Sequence, residues 1–336
     1  MTDRRRFLFA SGSLAAAAAC GYFAPSKSNA LPLREVRIAS HALGSEMSIL
    51  ALHADEAIAR KAIMAAFEDV EQIESVMSIY RSGSQISRLN KEGKLEAPHP
   101  YMVTVLEHAQ KLAAETGGAF DVTVQPLWQL YSDANARGAL PSEADVAQAK
   151  ARIDFRNLHL SPHLIRLDYG AQITLNGIAQ GFAVDRAVAV LRSFGIEHAL
   201  IDTGEHGSIG EKSGAQHWRV GIQHPRQPDA LSAVMNLDGR CLSTSGDYAT
   251  FFSPDFSNHH IFDPHTGHSP PGLASVSVLA ASGMEADALS TAVFVLGAER
   301  GVRLLQARGA EGYFISKAGG TVATPGIQKL ICNTIS

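Results

Sequence analysis

Thr174-Leu175-Asn176-Gly177-Ile178-Ala179-Gln180-Gly181-Phe182-Ala183-Val184-Asp185 reads as a strand that ends, a glycine-bounded turn and a helix that begins. The strand is Ile173–Leu175; the helix is Gly181–Phe194, with Phe182, Val184, Val188 and Leu191 recurring on one inward face. Free N–H groups at a helix start attract anions, phosphate above all. Gly177 and Gly181 lack a Cβ, so the backbone can approach a ligand closely. The turn's carbonyls, including that of Ala179, are available to a metal. An ordinary strand-to-helix turn has the same pattern, so the stretch alone decides no chemistry. It does bear on the fold. No G-x-G-x-x-G follows a first strand, and the nearest match, Gly204-Glu205-His206-Gly207-Ser208-Ile209-Gly210, has the wrong spacing, so a doubly wound dinucleotide-binding fold loses its main support.

On the N-terminal side, Glu35–Ala39 and Met47–Leu52 form a predicted hairpin around Gly44. Asp55 caps a predicted helix running to Met77, with Ile58, Ala62, Ala65, Ala66, Val70, Ile73 and Met77 at helical spacing. Tyr101–Glu115 is a second helix, stopped by Gly117-Gly118, and Ser142–Lys150 a third. Leu158–Leu160 and Leu164–Leu167 are strands, and Ile173–Leu175 continues their sheet. On the C-terminal side, Ala199–Asp202, Trp218–Ile222 and Ser232–Leu237 are strands, with Asp238-Gly239 a tight turn into Cys241–Thr244. Ser275–Ala280 is a strand, Ala286–Leu296 and Glu299–Arg308 are helices, and Gly312–Ser316 is the last strand. Without a strict β-α-β-α beat, the order predicts an α+β fold with mixed, largely antiparallel sheets and packed helices.

Residues 1–30 read as an address. Arg4-Arg5-Arg6 stands before an apolar, alanine-rich run from Leu8 to Ala24, and Ser28-Asn29-Ala30 supplies a small-residue cleavage site. The pattern predicts a twin-arginine signal peptide over 1–30, a mature domain over 31–336 and a periplasmic location. The whole chain carries a formal charge of −4; removing the four basic side chains and one acid of residues 1–30 leaves 25 basic against 32 acidic, a net of −7. Such a surface is not built for nucleic acid or an anionic membrane. Cys241 and Cys332 alone remain after residue 30, which excludes a disulfide framework.

Four polar segments are candidates for chemistry. Asp287 and Thr291, at i and i+4, share a face in the first turns of a predicted helix, and a carboxylate with a hydroxyl suits a hard cation such as Mg2+. The turn around Gly177 is the second. The third is Ser243-Thr244-Ser245-Gly246-Asp247-Tyr248 with His259-His260-Ile261-Phe262-Asp263-Pro264-His265, in which His260 and Asp263 can form an acid/base pair. A zinc reading of His259, His260, His265 and His268 lacks an H-E-x-x-H and a cysteine partner. The fourth is Met77-Ser78-Ile79-Tyr80-Arg81, where Tyr80 can stack on a ring system and Arg81 can reach a phosphate.

Taken together and in order, these segments resemble the ApbE-like flavin transferase family, the FAD:protein FMN transferases. The pieces are LGSEMS from Leu43, MSIYRSGSQISRLN from Met77, TGGAFDVTVQPLWQL from Thr116, TLNGIAQGFAVDRA from Thr174, ALIDTG from Ala199, TSGDY from Thr244, HHIFDPHTGHSP from His259 and ADALSTAVFVLG from Ala286. Each is weak alone; eight in family order are specific. The resemblance implies an ApbE-like, T-fold-like architecture, with FAD as donor and a Ser or Thr hydroxyl of a partner flavoprotein as acceptor. It implies Mg2+ held by Asp287, Thr291 and the Ala179 carbonyl. It places Met47, Tyr80, Asp121, Gly177, Gln180, Asp202, Thr244 and Ser245 at the flavin nucleotide, and His260, oriented by Asp263, as the base for the acceptor.

Two positions depart from the family pattern. Gln180 stands where a lysine is usual, and Glu205 where a glycine is usual, so a bulky acid there is expected to crowd or repel the FAD phosphates. These changes resemble the accessory branch of nitrous-oxide respiration, whose acceptor is a membrane-bound electron-transfer protein. They also keep two rivals in play: a non-catalytic FAD-binding maturation factor, and an Mg2+-dependent FAD pyrophosphatase. A periplasmic substrate-binding protein fits export but leaves the Asp287–Thr291 helix unexplained.

Overall fold

Leu43 and Gly44 both adopt left-handed backbone (φ 52° and 77°), and this two-residue turn closes a hairpin with Ala42 opposite Ser45. The computed structural model describes residues 32–212 and 216–332. The predicted signal peptide and its expected cleavage site after Ala30 therefore lie outside the described residues. In chain order the first half comprises β1 (Arg34–Ala42), β2 (Ser45–His53), α1 (Glu56–Met77), α2 (Gln85–Glu92), β3 (Lys94–Glu96), α3 (Pro100–Thr116), α4 (Gln125–Ala136), α5 (Glu143–Lys150), β4 (Leu158–Leu160) and β5 (Leu164–Leu167). The second half comprises α6 (Ala179–Ser193), β6 (His198–Asp202), β7 (His206–Ile209), β8 (Trp218–His224), β9 (Gln227–Leu237), β10 (Cys241–Gly246), β11 (Leu273–Ala280), α7 (Gly283–Arg308), β12 (Glu311–Ser316), β13 (Thr321–Ala323), α8 (Pro325–Gln328) and β14 (Ile331–Cys332).

The fold is α+β. An eight-stranded sheet runs β1-β2-β6-β7-β10-β11-β12-β13, and every neighbouring pair in it is antiparallel. Side chains alternate across it. Met47, Ile49 and Ala51 of β2, with Val276 and Val278 of β11, face the core shared with α1, α6 and α7. Leu52, Leu242 and Leu279 face the opposite side, where Trp218, Val220, Ile222 and Met235 of the small sheet β14-β9-β8 cover them. Sandwiched between these layers, β11 is buried at all eight residues, Ser275 and Ser277 included.

Local chemistry explains most element ends. Asp55 accepts the N–H groups of Ala57 (2.8 Å) and Ile58 (3.3 Å), starting α1 where the sequence predicts. Gly117, in left-handed conformation, ends α3. α7 holds both predicted C-terminal helices, broken at Gly297 (φ 76°, ψ 170°).

Several expectations need correction. The buried stripe of α1 includes Ala59, Ile63 and Phe67, whereas Ile58 is exposed and Ala65 half-buried. α2 and α4 are helices the periodicity did not predict. Ile173–Leu175 is not a strand: Asn90 brackets Ile173 through both its N–H (2.7 Å) and its carbonyl (2.8 Å), and the Thr174 N–H goes to the Val122 carbonyl. The expected turn at Asp238-Gly239 does lead into β10, and it passes from the small sheet to the large one. β13 and β14 follow the strand expected to be last.

Candidate active site

α6 starts without a cap of its own: Ile178 occupies the N-cap position and offers no side-chain acceptor. The missing acceptor comes from α7, where Asp287 Oδ2 accepts the Gly181 N–H at 2.9 Å. The favour is returned. Asp185 of α6 accepts the Gly283 N–H (2.6 Å) and the Met284 N–H (2.9 Å), and Ser282 accepts that of Glu285 (3.2 Å), closing the start of α7. Such reciprocal capping requires close contact. A Cβ on Gly181 would overlap the Gly283 carbonyl, and one on Gly177 would lie 2.7 Å from Thr291 Oγ1. Both glycines thus seat the turn on α7, rather than on a ligand as the sequence suggests.

This junction floors a cleft of about 200 Å3. Asp287 and Thr291 from α7 face Asn176, Gly177 and Gln180 of the turn, Glu205 of the β6–β7 corner, and Thr244 and Ser245 of β10. Ser245 Oγ pairs with Ser290 Oγ (2.8 Å) and stands 3.4 Å from Thr291 Oγ1. Phe120, Trp128, Ile261, Phe262 and Pro264 form an apolar wall suited to a planar ring system. No Lys or Arg lines the cleft among the described residues.

Electrostatics follow from burial. Glu205 and Asp287 are both buried beside each other. Burial, and then the charge of Asp287, push the Glu205 carboxyl well above its ordinary range. Burial likewise pushes Asp287 up, although the Gly181 N–H works against it. Glu205 lines the cleft, and its Oε2 accepts the Thr244 N–H at 3.0 Å. The Gln180 side-chain amide donates to Ser45 Oγ (3.1 Å), and its main-chain carbonyl accepts the Thr203 hydroxyl (3.0 Å).

His260 is half-buried at the cleft wall. Its Nδ1 lies 3.1 Å from the Thr250 carbonyl. A carbonyl can only accept, so Nδ1 carries the proton and the Nε2 lone pair is left for another partner. Burial lowers the His260 pKa, keeping the ring neutral. Asp263 plays no part in this: its carboxylate accepts the His265 N–H (2.9 Å) and Nδ1–H (3.1 Å). The predicted His260–Asp263 pair is therefore replaced by a His260–Thr250 one.

Of the other predicted site residues, Asp121 lines the cleft, but its oxygens hold Thr123 (N–H 2.8 Å, hydroxyl 2.6 Å) and the Phe155 N–H (2.9 Å). Tyr80 is 67% exposed and meets Trp128 edge-on at 6.0 Å, so it sits at the rim. Ala179, buried, opens α6 two residues before Gly181. Met47 lies in the core at 1% exposure and does not line the cleft. Asp202 also lies outside the lining, its Oδ1 accepting the Gly204 N–H (3.0 Å). Arg81 is held by Glu71 (2.6 Å) and Glu74 (2.8 Å) rather than free for a phosphate. The four histidines of the zinc reading disperse: His259 to the Pro270 carbonyl, His260 to the Thr250 carbonyl, His265 to Asp263, His268 to Tyr131. Sequence reasoning missed Trp128, whose signal was its place inside TGGAFDVTVQPLWQL, and the inward turn of Glu205.

The ApbE family model matches residues 43–314, and the chain belongs to the ApbE family. It is 34% identical to the FAD:protein FMN transferase of Treponema pallidum, over 73% of this chain and 75% of that one. It is 30% identical to the FAD:protein FMN transferase of Salmonella typhimurium, over 73% of each. The crystal structure of the ApbE protein from Thermotoga maritima superposes with a TM-score of 0.82 at 27% identity, covering 89% of this chain and all of that one. The flavinyl transferase ApbE of Pseudomonas stutzeri gives 0.78 at 29% identity, covering 91% and 100%.

Proposed function

We propose that this chain is an FAD:protein FMN transferase that moves FMN from FAD to a Ser or Thr hydroxyl of an exported or membrane-bound partner protein and releases AMP. The observation that carries the reading is the placement of Asp287 and Thr291 over the start of α6, with the Nε2 lone pair of His260 in the same cleft. The acceptor oxygen attacks the phosphorus on the FMN side, the bond from that phosphorus to the bridging oxygen breaks, and AMP departs with that oxygen. His260 takes the acceptor's proton at Nε2. The apolar wall with Trp128 positions the flavin, and Tyr80 at the rim is available to the adenine.

The donor set fits Mg2+: carboxylate and hydroxyl oxygens, in a cleft whose buried carboxylates have no lysine or arginine to balance them. Asp287, Thr291 and the Ala179 carbonyl would hold the ion. When bound it supplies charge neutralisation on the diphosphate. The Arg4-Arg5-Arg6 segment and Ala30 site support export to the periplasm by the twin-arginine route, where covalent attachment keeps a flavin from being lost. Gln180 and Glu205 support an accessory role toward a membrane-bound electron-transfer acceptor.

The test is an incubation of the purified protein with FAD, Mg2+ and an acceptor domain carrying a Thr, read by mass spectrometry. An acceptor gaining one FMN is expected. Free FMN with unlabelled acceptor would make the chain a pyrophosphatase, and unchanged bound FAD a carrier.

A further inference from the structure

Glu205 is more than nine-tenths buried, yet it lines the same cleft as Asp287. Three contacts fix the corner that carries it. The Thr203 N–H donates to the Glu205 carbonyl (3.0 Å), the Thr203 hydroxyl to the Gln180 carbonyl (3.0 Å), and the Thr244 N–H to Glu205 Oε2 (3.0 Å). Gly204, at φ 93°, lets the chain pass Gln180, whose Nε2 would stand 2.6 Å from any Cβ there. These contacts hold the carboxylate beside Asp287.

Two fixed, buried carboxyls with no basic side chain in the lining must either take up protons or share a cation. The fold holds them there at a cost, since main-chain and hydroxyl contacts neutralise nothing. We propose that Glu205 is a second carboxylate ligand, beside Asp287, of the cleft's divalent cation, and that it makes the cation bind the protein before the flavin nucleotide arrives. One carboxylate with a hydroxyl holds such an ion weakly and leans on substrate phosphates; a second raises the affinity of the protein itself. Gln180 fits this arrangement, because a protein-bound ion takes the place of a basic side chain at the phosphates. The inference rests on the transferase reading for its location, since it presumes a cation at Asp287.

The test uses Mn2+ as the probe, titrated into flavin-free protein and followed by electron paramagnetic resonance of the unbound ion. Glu205→Gln keeps the shape and an acceptor for Thr244, and Asp287→Asn an acceptor for Gly181; circular dichroism checks that each is folded. Wild type is expected to bind Mn2+ without FAD, with each variant weakened about tenfold or more. If only Asp287→Asn weakens binding, the role of Glu205 is overturned and the metal assignment stands. If neither does, the cation is not in this cleft and both readings fall.

Discussion

Asp287 of α7 accepts the main-chain N–H of Gly181 in α6 at 2.9 Å, across 106 residues of chain. One carboxylate thus has two duties, since Oδ2 closes a helix start and the same group faces the cleft. Truncation confuses them. Asp287→Ala removes the cap and should cost about 1 kcal/mol of stability. Asp287→Asn keeps an acceptor for Gly181 and is expected to hold its melting temperature within a few degrees. Its transfer rate should fall by about a thousandfold, as loss of several kcal/mol of charge stabilisation implies. Acceptor labelling over time checks it; wild-type rates would refute the metal assignment.

Gly181→Ala tests the junction from the other side. Its Cβ would overlap the Gly283 carbonyl and stand 2.6 Å from the Asp287 Cβ, both on a packed helix that cannot yield. Overpacking of this kind costs about 1–3 kcal/mol, measurable by urea unfolding. A silent substitution would show that α6 and α7 are not tightly seated.

His260→Ala should lower the rate of transfer by about 10²–10⁴-fold while leaving FAD affinity nearly unchanged. The pH dependence has a defined sign. The base form is the neutral ring, and burial lowers the His260 pKa, with the Thr250 carbonyl and Asp247 working against that shift. The ring stays competent to lower pH, so the acid limb of the rate profile should fall below the ordinary histidine value of about 6.5. The limb should vanish in the variant. An equal loss of FAD affinity would argue against a base.

Arg226 and Asp247 form a bidentate pair (2.7 and 2.8 Å) with the Asp247 side chain wholly buried, one residue beyond Gly246 in the cleft lining. Asp247→Ala leaves a guanidinium without its partner and is expected to cost about 3–5 kcal/mol. Thermal unfolding measures it. A change under 1 kcal/mol would show that the pair is not needed to hold the end of β10.

Features made by neighbours in sequence were legible from it. Gly44 in its hairpin, Asp55 at its cap and Gly117 at its stop act within a few residues, so their chemistry is written locally. Ile173–Leu175 failed because its apolar run is strand-like while its hydrogen bonds go to Asn90 and Val122, remote in sequence. Asp238-Gly239 was read correctly as a turn into Cys241, but the sequence did not show that the turn passes from one sheet to another. α4 went unpredicted although Leu127, Tyr131 and Ala134 recur on one buried face, and its Trp128 went unread as a cleft wall.

By itself, the sequence determined the α+β class, the family, and the face shared by Asp287 and Thr291, because periodicity and ordered motifs are properties of the chain. Only the tertiary structure decided where the polar groups end. It put the Thr250 carbonyl on His260, sank Met47 into the core, and brought Glu205 beside Asp287. Those outcomes depend on which buried hydrogen-bond partners folding brings within about 3 Å, and residues far apart in the chain carry no local mark of that meeting.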